Sequence, residues 1–139
     1  MKPKCIFFIL FIFIILTNNS CKKEEGEGGT SSIIGRVKAL DYRYDGAIDS
    51  FVLDTTYYLP GERVYIVYGD DEVYSDDFRT DPNGYYRFQW LRKGKYTIFA
   101  YAQDTIENTP TGVYHVEVSV EIKKNKTEYT APDIEVVRL

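Results

Sequence analysis

The clearest pattern in the chain is an alternation of apolar and polar residues from Tyr85 onward. Tyr86 and Phe88 fall on one face of an extended segment and Tyr85, Arg87 and Gln89 on the other, because side chains alternate with period two along a strand. Leu91 closes this segment, Arg92-Lys93-Gly94 turns the chain, and Tyr96, Ile98 and Ala100 resume an inward face. Asp81-Pro82-Asn83-Gly84 just before it is a turn: proline presets φ, and asparagine and glycine tolerate the left-handed backbone that closes it. Together these segments predict a β-hairpin with one wet side. Ile33 to Leu40 alternates in the same way, with Ile34, Arg36 and Lys38 on one side and Ile33, Gly35, Val37 and Ala39 on the other. Further strands are expected over 62–68, 72–79, 85–91, 95–102, 113–123 and 127–137. The strongest alternation sets Val116, Val118, Val120 and Ile122 against His115, Glu117, Ser119 and Glu121. No segment after Cys21 carries an apolar stripe of helical period. The expectation is an all-β, Greek-key β-sandwich of about seven strands. Its buried set should comprise Tyr86, Phe88, Leu91, Tyr96, Ile98, Val116, Val118 and Val120.

Two segments exceed what such a sandwich needs. Residues 41–60, DYRYDGAIDSFVLDTTYYLP, carry Ile48, Phe51, Val52 and Leu53 among polar residues. Connections of that length usually have structure of their own or a function, and a small extra hairpin is expected. The aromatics Tyr42, Tyr44, Phe51, Tyr57 and Tyr58 cluster here and are the candidate binding residues, since a flat apolar ring with a polar tip suits a sugar or a protein surface. They could instead simply cover an open end of the sandwich. Residues 103–111 form a polar loop with Pro110, placed where binding residues often concentrate.

The spacing Gly84-x-Tyr86-x-Phe88-x-x-Leu91-x-x-Gly94-x-Tyr96 resembles the signature of carboxypeptidase regulatory-like domains, β-sandwiches of transthyretin-like topology that are also similar to collagen-adhesin repeats. That resemblance implies an accessory, spacer or binding module, because fold alone does not fix function. Adhesin-type relatives can join first-strand lysine to last-strand asparagine; Lys38 and Asp133 occupy loosely comparable places, without the asparagine. The ureide-hydrolysing branch of the transthyretin-like superfamily needs several histidines and a C-terminal motif that the ending Glu135-Val136-Val137-Arg138-Leu139 lacks.

At the start of the chain, Lys2 and Lys4 precede an apolar run from Ile6 to Leu16. It is too short to span a bilayer and has the character of a secretory h-region. Thr17-Asn18-Asn19-Ser20 leads from it to Cys21. This resembles a bacterial lipoprotein signal, with Asn18 standing where the family usually has an aliphatic residue. The resemblance implies a signal peptide over 1–20 and a lipid on Cys21. Ordinary secretory cleavage, leaving a free thiol, and an uncleaved anchor are the competing readings. Residues 21–32 are charged and glycine-rich and read as a flexible tether, with the β-sandwich domain over 33–139. Cys21-Lys22-Lys23-Glu24-Glu25 is similar to the signal that sends lipoproteins of some Gram-negative bacteria to the outer face of the outer membrane. Lys23, Glu24 and Glu25 would be its export signal; otherwise the run is a solvated linker.

Composition narrows the function classes. Losing Lys2 and Lys4 with the signal lowers the net charge from −4 to −6. An acidic chain without a basic stripe does not suit nucleic acid. With Cys5 removed and Cys21 lipidated no disulfide is available, so packing alone must hold the core. His115 is the only histidine, and no nucleophile motif accompanies it, so neither a usual zinc site nor a catalytic set is expected. Asp70, Asp71, Glu72, Asp76, Asp77 and Asp81 are acidic but match no calcium-loop spacing, and edge charges would explain them equally well. The sequence therefore points to a lipid-anchored surface module, non-catalytic and without a cofactor. Its partner would be a glycan or an outer-membrane protein; the alternative is a structural accessory of an outer-membrane complex.

Overall fold

The computed structural model describes residues 24–103 and 111–139. The signal segment, Cys21, Lys23 and most of the 103–111 loop lie outside the described residues. Within them the chain forms nine strands and no helix: β1 Glu27–Asp45, β2 Ser50–Tyr58, β3 Arg63–Tyr68, β4 Asp76–Arg79, β5 Tyr85–Leu91, β6 Gly94–Gln103, β7 Val113–Ile122, β8 Glu128–Thr130 and β9 Ile134–Arg138. They make two sheets, one of five strands built on β1 and one in the order β4-β3-β6-β7.

β1 is the spine of the first sheet. Along one side it pairs with β5 over Ile33–Arg36 and then with β2 over Lys38–Asp45. The change of partner falls at Val37, whose N–H donates to Gly84 O at 3.0 Å while its carbonyl accepts from Leu59 N at 2.9 Å. Both groups of one strand residue point the same way, so β5 and β2 lie end to end on one flank of β1. The other flank carries β8 and then β9, both parallel to β1. Pro132 lacks the N–H that would continue a ladder, which divides the expected 127–137 strand in two. That division and β2 account for nine strands where about seven are expected.

The two sheets close on the faces that the alternation marks. Ile33, Val37 and Ala39 of β1, Val64 and Ile66 of β3, Tyr86, Phe88 and Leu91 of β5, Tyr96, Ile98 and Ala100 of β6, and Ile134 and Val136 of β9 are all buried. Burying each of the larger side chains stabilises by roughly 1.5–3 kcal/mol. The Arg138–Glu62 ion pair at 2.5 Å fastens the end of β9 to the start of β3.

Three expectations change. Tyr85–Leu91 and Lys95–Ala102 are strands, but they form no hairpin: β5 pairs with β1, and β6 pairs with β3 and β7. The Arg92-Lys93-Gly94 turn carries the chain from one sheet to the other, so the two apolar faces meet across the core instead of lying side by side. Asp81–Gly84 is a turn as expected, with Gly84 at φ 78° and Asp81 Oδ1 accepting from Asn83 N at 2.8 Å and Tyr85 N at 2.9 Å; it too joins strands of different sheets. Val116, Val118 and Val120 are only half-buried against the core, because β7 is an edge strand that the opposite sheet covers only in part, burying Ile122 at its end.

The third change concerns residues 27–32, expected in a flexible tether but paired in β1. Gly26 N donates to Tyr96 Oη at 3.0 Å, Tyr96 Oη donates to Arg92 O at 2.8 Å, and Gly26 O accepts from Arg92 N at 2.9 Å. A Cβ at Gly29 would overlap the Leu91 carbonyl. The glycines here permit close backbone approach, a use that composition cannot distinguish from flexibility.

Candidate functional site

Beyond Asp41, where β9 ends, β1 keeps only β2 as a neighbour and the pair continues as a two-stranded arm. The extra hairpin expected over 41–60 is this arm. A bulge places Asp54 as an unmatched residue, so Tyr42 faces Leu53 and Tyr44 faces Phe51 across the ribbon. Cross-strand partners share a face, and these four therefore form one apolar stripe. Tyr44 and Phe51 meet edge to face, with ring centres 5.6 Å apart. Tyr44 is 55% exposed, Phe51 44%, Leu53 51% and Ile48, at the tip, 61%. The Tyr44 hydroxyl donates to the Asp49 carboxylate, which holds the phenol above its ordinary pKa. Asp45 Oδ1 accepts from Ala47 N at 2.9 Å and shapes the tip.

The five aromatics read from the sequence thus separate. Tyr42, Tyr44 and Phe51 come together on the stripe. Tyr58 lies further down the same face, but the Arg36 guanidinium sits 3.0 Å over its ring and 4.4 Å from that of Tyr85, so it is committed to the sheet. Tyr57 pairs with Ala39 and falls on the opposite face.

A second aromatic group lies on the outer face of the other sheet. Tyr65 of β3 stacks on Phe99 of β6 at 5.0 Å and 15°, with Tyr74 at 4.9 Å and Tyr101 at 5.7 Å edge-on to Tyr65. His115 of β7 meets Phe99 at 5.8 Å. Arg63 and Asp77 pair beside it at 2.9 Å, and burial raises the Tyr65 pKa. Sequence reading missed this group. The signal was Phe99 and Tyr101 alternating with buried Ile98, Ala100 and Ala102, on a face where polar residues are the norm.

The end of the sandwich at which the described chain begins has a third character. Between Ile33↔Phe88 and Ser31↔Leu91, β1 advances two residues and β5 three. The extra residue puts Leu91 into the core and throws Trp90 outward, 67% exposed and with φ 60°. A non-glycine residue in that region costs roughly 1–2 kcal/mol. Gly28, Gly29, Thr30, Arg92, Lys93 and Asn125 line a shallow cleft of about 340 Å³ nearby. Of the proposed export signal, Glu24 is exposed, while Glu25 packs where a Cβ on Gly94 or Gly69 would stand.

The acidic residues disperse: Asp81 closes its own turn and Asp77 pairs with Arg63. Among the described residues no three His, Cys, Asp or Glu side chains converge. Lys38 pairs with Glu135 at 3.1 Å, which raises the lysine pKa, while Asp133 accepts from Tyr58 Oη at 3.3 Å. His115 is exposed on β7, 3.5 Å from Glu117.

No protein-family model matches the chain, and no curated protein matches its sequence. Among solved structures it is similar to a candidate carbohydrate-binding protein from Pseudomonas aeruginosa, with 15% identity over 81% of this chain and 91% of that one and a TM-score of 0.41. So distant a likeness says nothing of what this chain binds.

Proposed function

We propose that this protein is a non-catalytic binding module, held by a lipid on Cys21 at the cell surface, whose contact element is the β1–β2 arm. One observation carries the reading: Tyr44, Phe51 and Leu53, exposed, and Tyr42, half-buried, form a continuous stripe on a ribbon with no third strand. Two-stranded ribbons are marginal in water, and contiguous exposed apolar patches mark interaction sites. Aliphatic Leu53 and Ile48 favour a protein surface, such as an outer-membrane complex, over a sugar. A glycan is the second reading, favoured by the Tyr65–Phe99 stack and the adjoining Arg63–Asp77 pair.

A photo-crosslinking residue in place of Phe51 on intact cells should give a discrete protein adduct, and the same residue in place of Arg87 should not. Equal labelling from both positions would sink the arm reading. Glycan-array binding that Tyr65→Ala with Phe99→Ala abolishes, and Phe51→Ser leaves intact, would move the function to the second sheet. Fatty-acid labelling that persists in Cys21→Ala would remove the anchor.

A further inference from the structure

The end of the sandwich opposite the arm gathers an exposed indole and several cationic side chains. Trp90, the only tryptophan of the chain, is displayed to solvent by a bulge that holds its backbone in the left-handed region. The bulge itself serves the core by turning Leu91 inward, but strained backbone of this kind clusters at functional sites, and the core does not use the indole. Beside it lie Arg92 and Lys93 in the β5–β6 turn and Lys124 and Lys126 in the β7–β8 turn. The turns are tied to the first residues of β1: Ser31 Oγ donates to Lys124 O at 2.9 Å, and Lys126 N donates to Thr30 Oγ1 at 3.1 Å.

Charge at this end is segregated. Among the described residues, Lys93, Lys124 and Lys126 have no carboxylate within 4 Å, whereas Lys123 is neutralised by Glu121 at 3.3 Å. Glu25 packs beside Gly69 and Gly94, and Glu27 lies close enough to Tyr68 to help raise its pKa. These acids, with Asp70, therefore belong to the second sheet's side. The first sheet's side keeps four cations, the cleft between Gly28–Thr30 and Asn125, and the indole. Glu24 is exposed on that side, and Glu128, two residues beyond Lys126, is neutralised by Arg87 at 3.0 Å.

Chain length decides what this side faces. Two residues, Lys22 and Lys23, separate Cys21 from Glu24, and the three Cα-to-Cα steps reach no more than about 11 Å at full extension. The domain already includes Gly26 and Glu27, packed against Tyr96 and paired with β5, so no twelve-residue leash precedes it. We propose that this end of the domain seats on the phosphate headgroups of the membrane that anchors the chain, a proposal that rests on lipidation of Cys21. Arg92, Lys93, Lys124 and Lys126 meet the phosphates, and the Trp90 indole enters the headgroup layer, where an apolar ring with one N–H is best accommodated. The seat orients β1 away from the surface. At about 3.3 Å per residue its nineteen residues carry the arm up to roughly 60 Å outward.

Trp90 reports on its own seating. The full chain, extracted with its lipid and reconstituted into phosphatidylglycerol vesicles containing brominated lipid, should show blue-shifted, quenched Trp90 emission that high salt reverses. Phosphatidylcholine vesicles should quench less. Lys93→Glu, Lys124→Glu and Lys126→Glu should each lower the seated fraction relative to the lifted one by about fivefold or more. Trp90→Gly suits the left-handed backbone and should melt no lower than the wild type.

Unquenched emission in anionic vesicles overturns the seat, and equal quenching in both lipids, or in a variant that combines the three lysine substitutions, overturns its dependence on anionic headgroup charge. A lower melting temperature for Trp90→Gly would make the indole a packing residue. The mass of the N-terminal peptide distinguishes loss of the anchor from loss of the seat. An unmodified Cys21 defeats the anchor, whereas a lipidated Cys21 with unquenched Trp90 defeats the seat alone.

Discussion

The two halves of β1 are one continuous strand in opposite circumstances. Over Ile33–Asp41 it has neighbours on both flanks, and Ile33, Val37 and Ala39 are buried. Over Tyr42–Asp45 it has β2 alone, and no side chain is fully buried: Tyr42 is half-buried and Tyr44 exposed. Backbone pairing with β2 continues to Asp45; what ends is the second flank and the core that covers the inner face. Strand formation in this protein therefore does not mark where stability resides. Stability follows burial between layers, while the ribbon beyond is held by its connection to the sandwich and leaves its apolar stripe unpartnered.

Substitutions should divide along that line. The largest effect is expected at Phe88, where a change to alanine empties part of the core and should cost about 3–5 kcal/mol; a melting curve near wild type would mean that the inward face of β5 contributes little. Next is Gly29→Ala, whose Cβ would collide with the Leu91 carbonyl. A cost of about 1–3 kcal/mol is expected, and none at all would return residues 24–32 to the role of a loose tether.

Tyr86 should act in the other direction. Its ring is fully buried, and its hydroxyl has no hydrogen-bond partner among the described residues. Tyr86→Phe should stabilise by about 1 kcal/mol, read as a rise in the denaturant midpoint. Burial pushes the Tyr86 pKa up, and that of Tyr68 up to about 12. The unfolded chain therefore releases these protons first. The stability they contribute is complete below pH 10 and is lost as pH rises through the folded values. A midpoint that fell equally between about pH 7 and 9 would point to other groups. Smallest of all, Phe51→Ser and Leu53→Ser should move stability by no more than about 0.5 kcal/mol, and Leu53→Ser should in addition remove the adduct formed from the crosslinking residue at position 51. A large loss in either would show the stripe to be part of the core.

The local alternation of the sequence was enough to specify strands and their inward faces. Ile33, Val37, Ala39, Tyr86, Phe88, Tyr96 and Ile98 are buried as their period-two spacing requires, and the surplus of residues 41–60 was enough to announce a hairpin. Which strands would pair was a different matter. Every backbone offers the same donors and acceptors, so nothing in YYRFQWLRKGKYTI distinguishes a hairpin from a crossing between sheets. The partners that decide it, β1 for β5 and β3 with β7 for β6, are remote in sequence. The same holds for the candidate surfaces. Tyr42, Tyr44 and Phe51 are close in sequence and were legible, whereas Tyr65 and Phe99 meet only through pairing. Trp90 reaches solvent only because a bulge against β1 shifts the phase of β5, and glycine has no side chain to announce whether it supplies freedom or close contact.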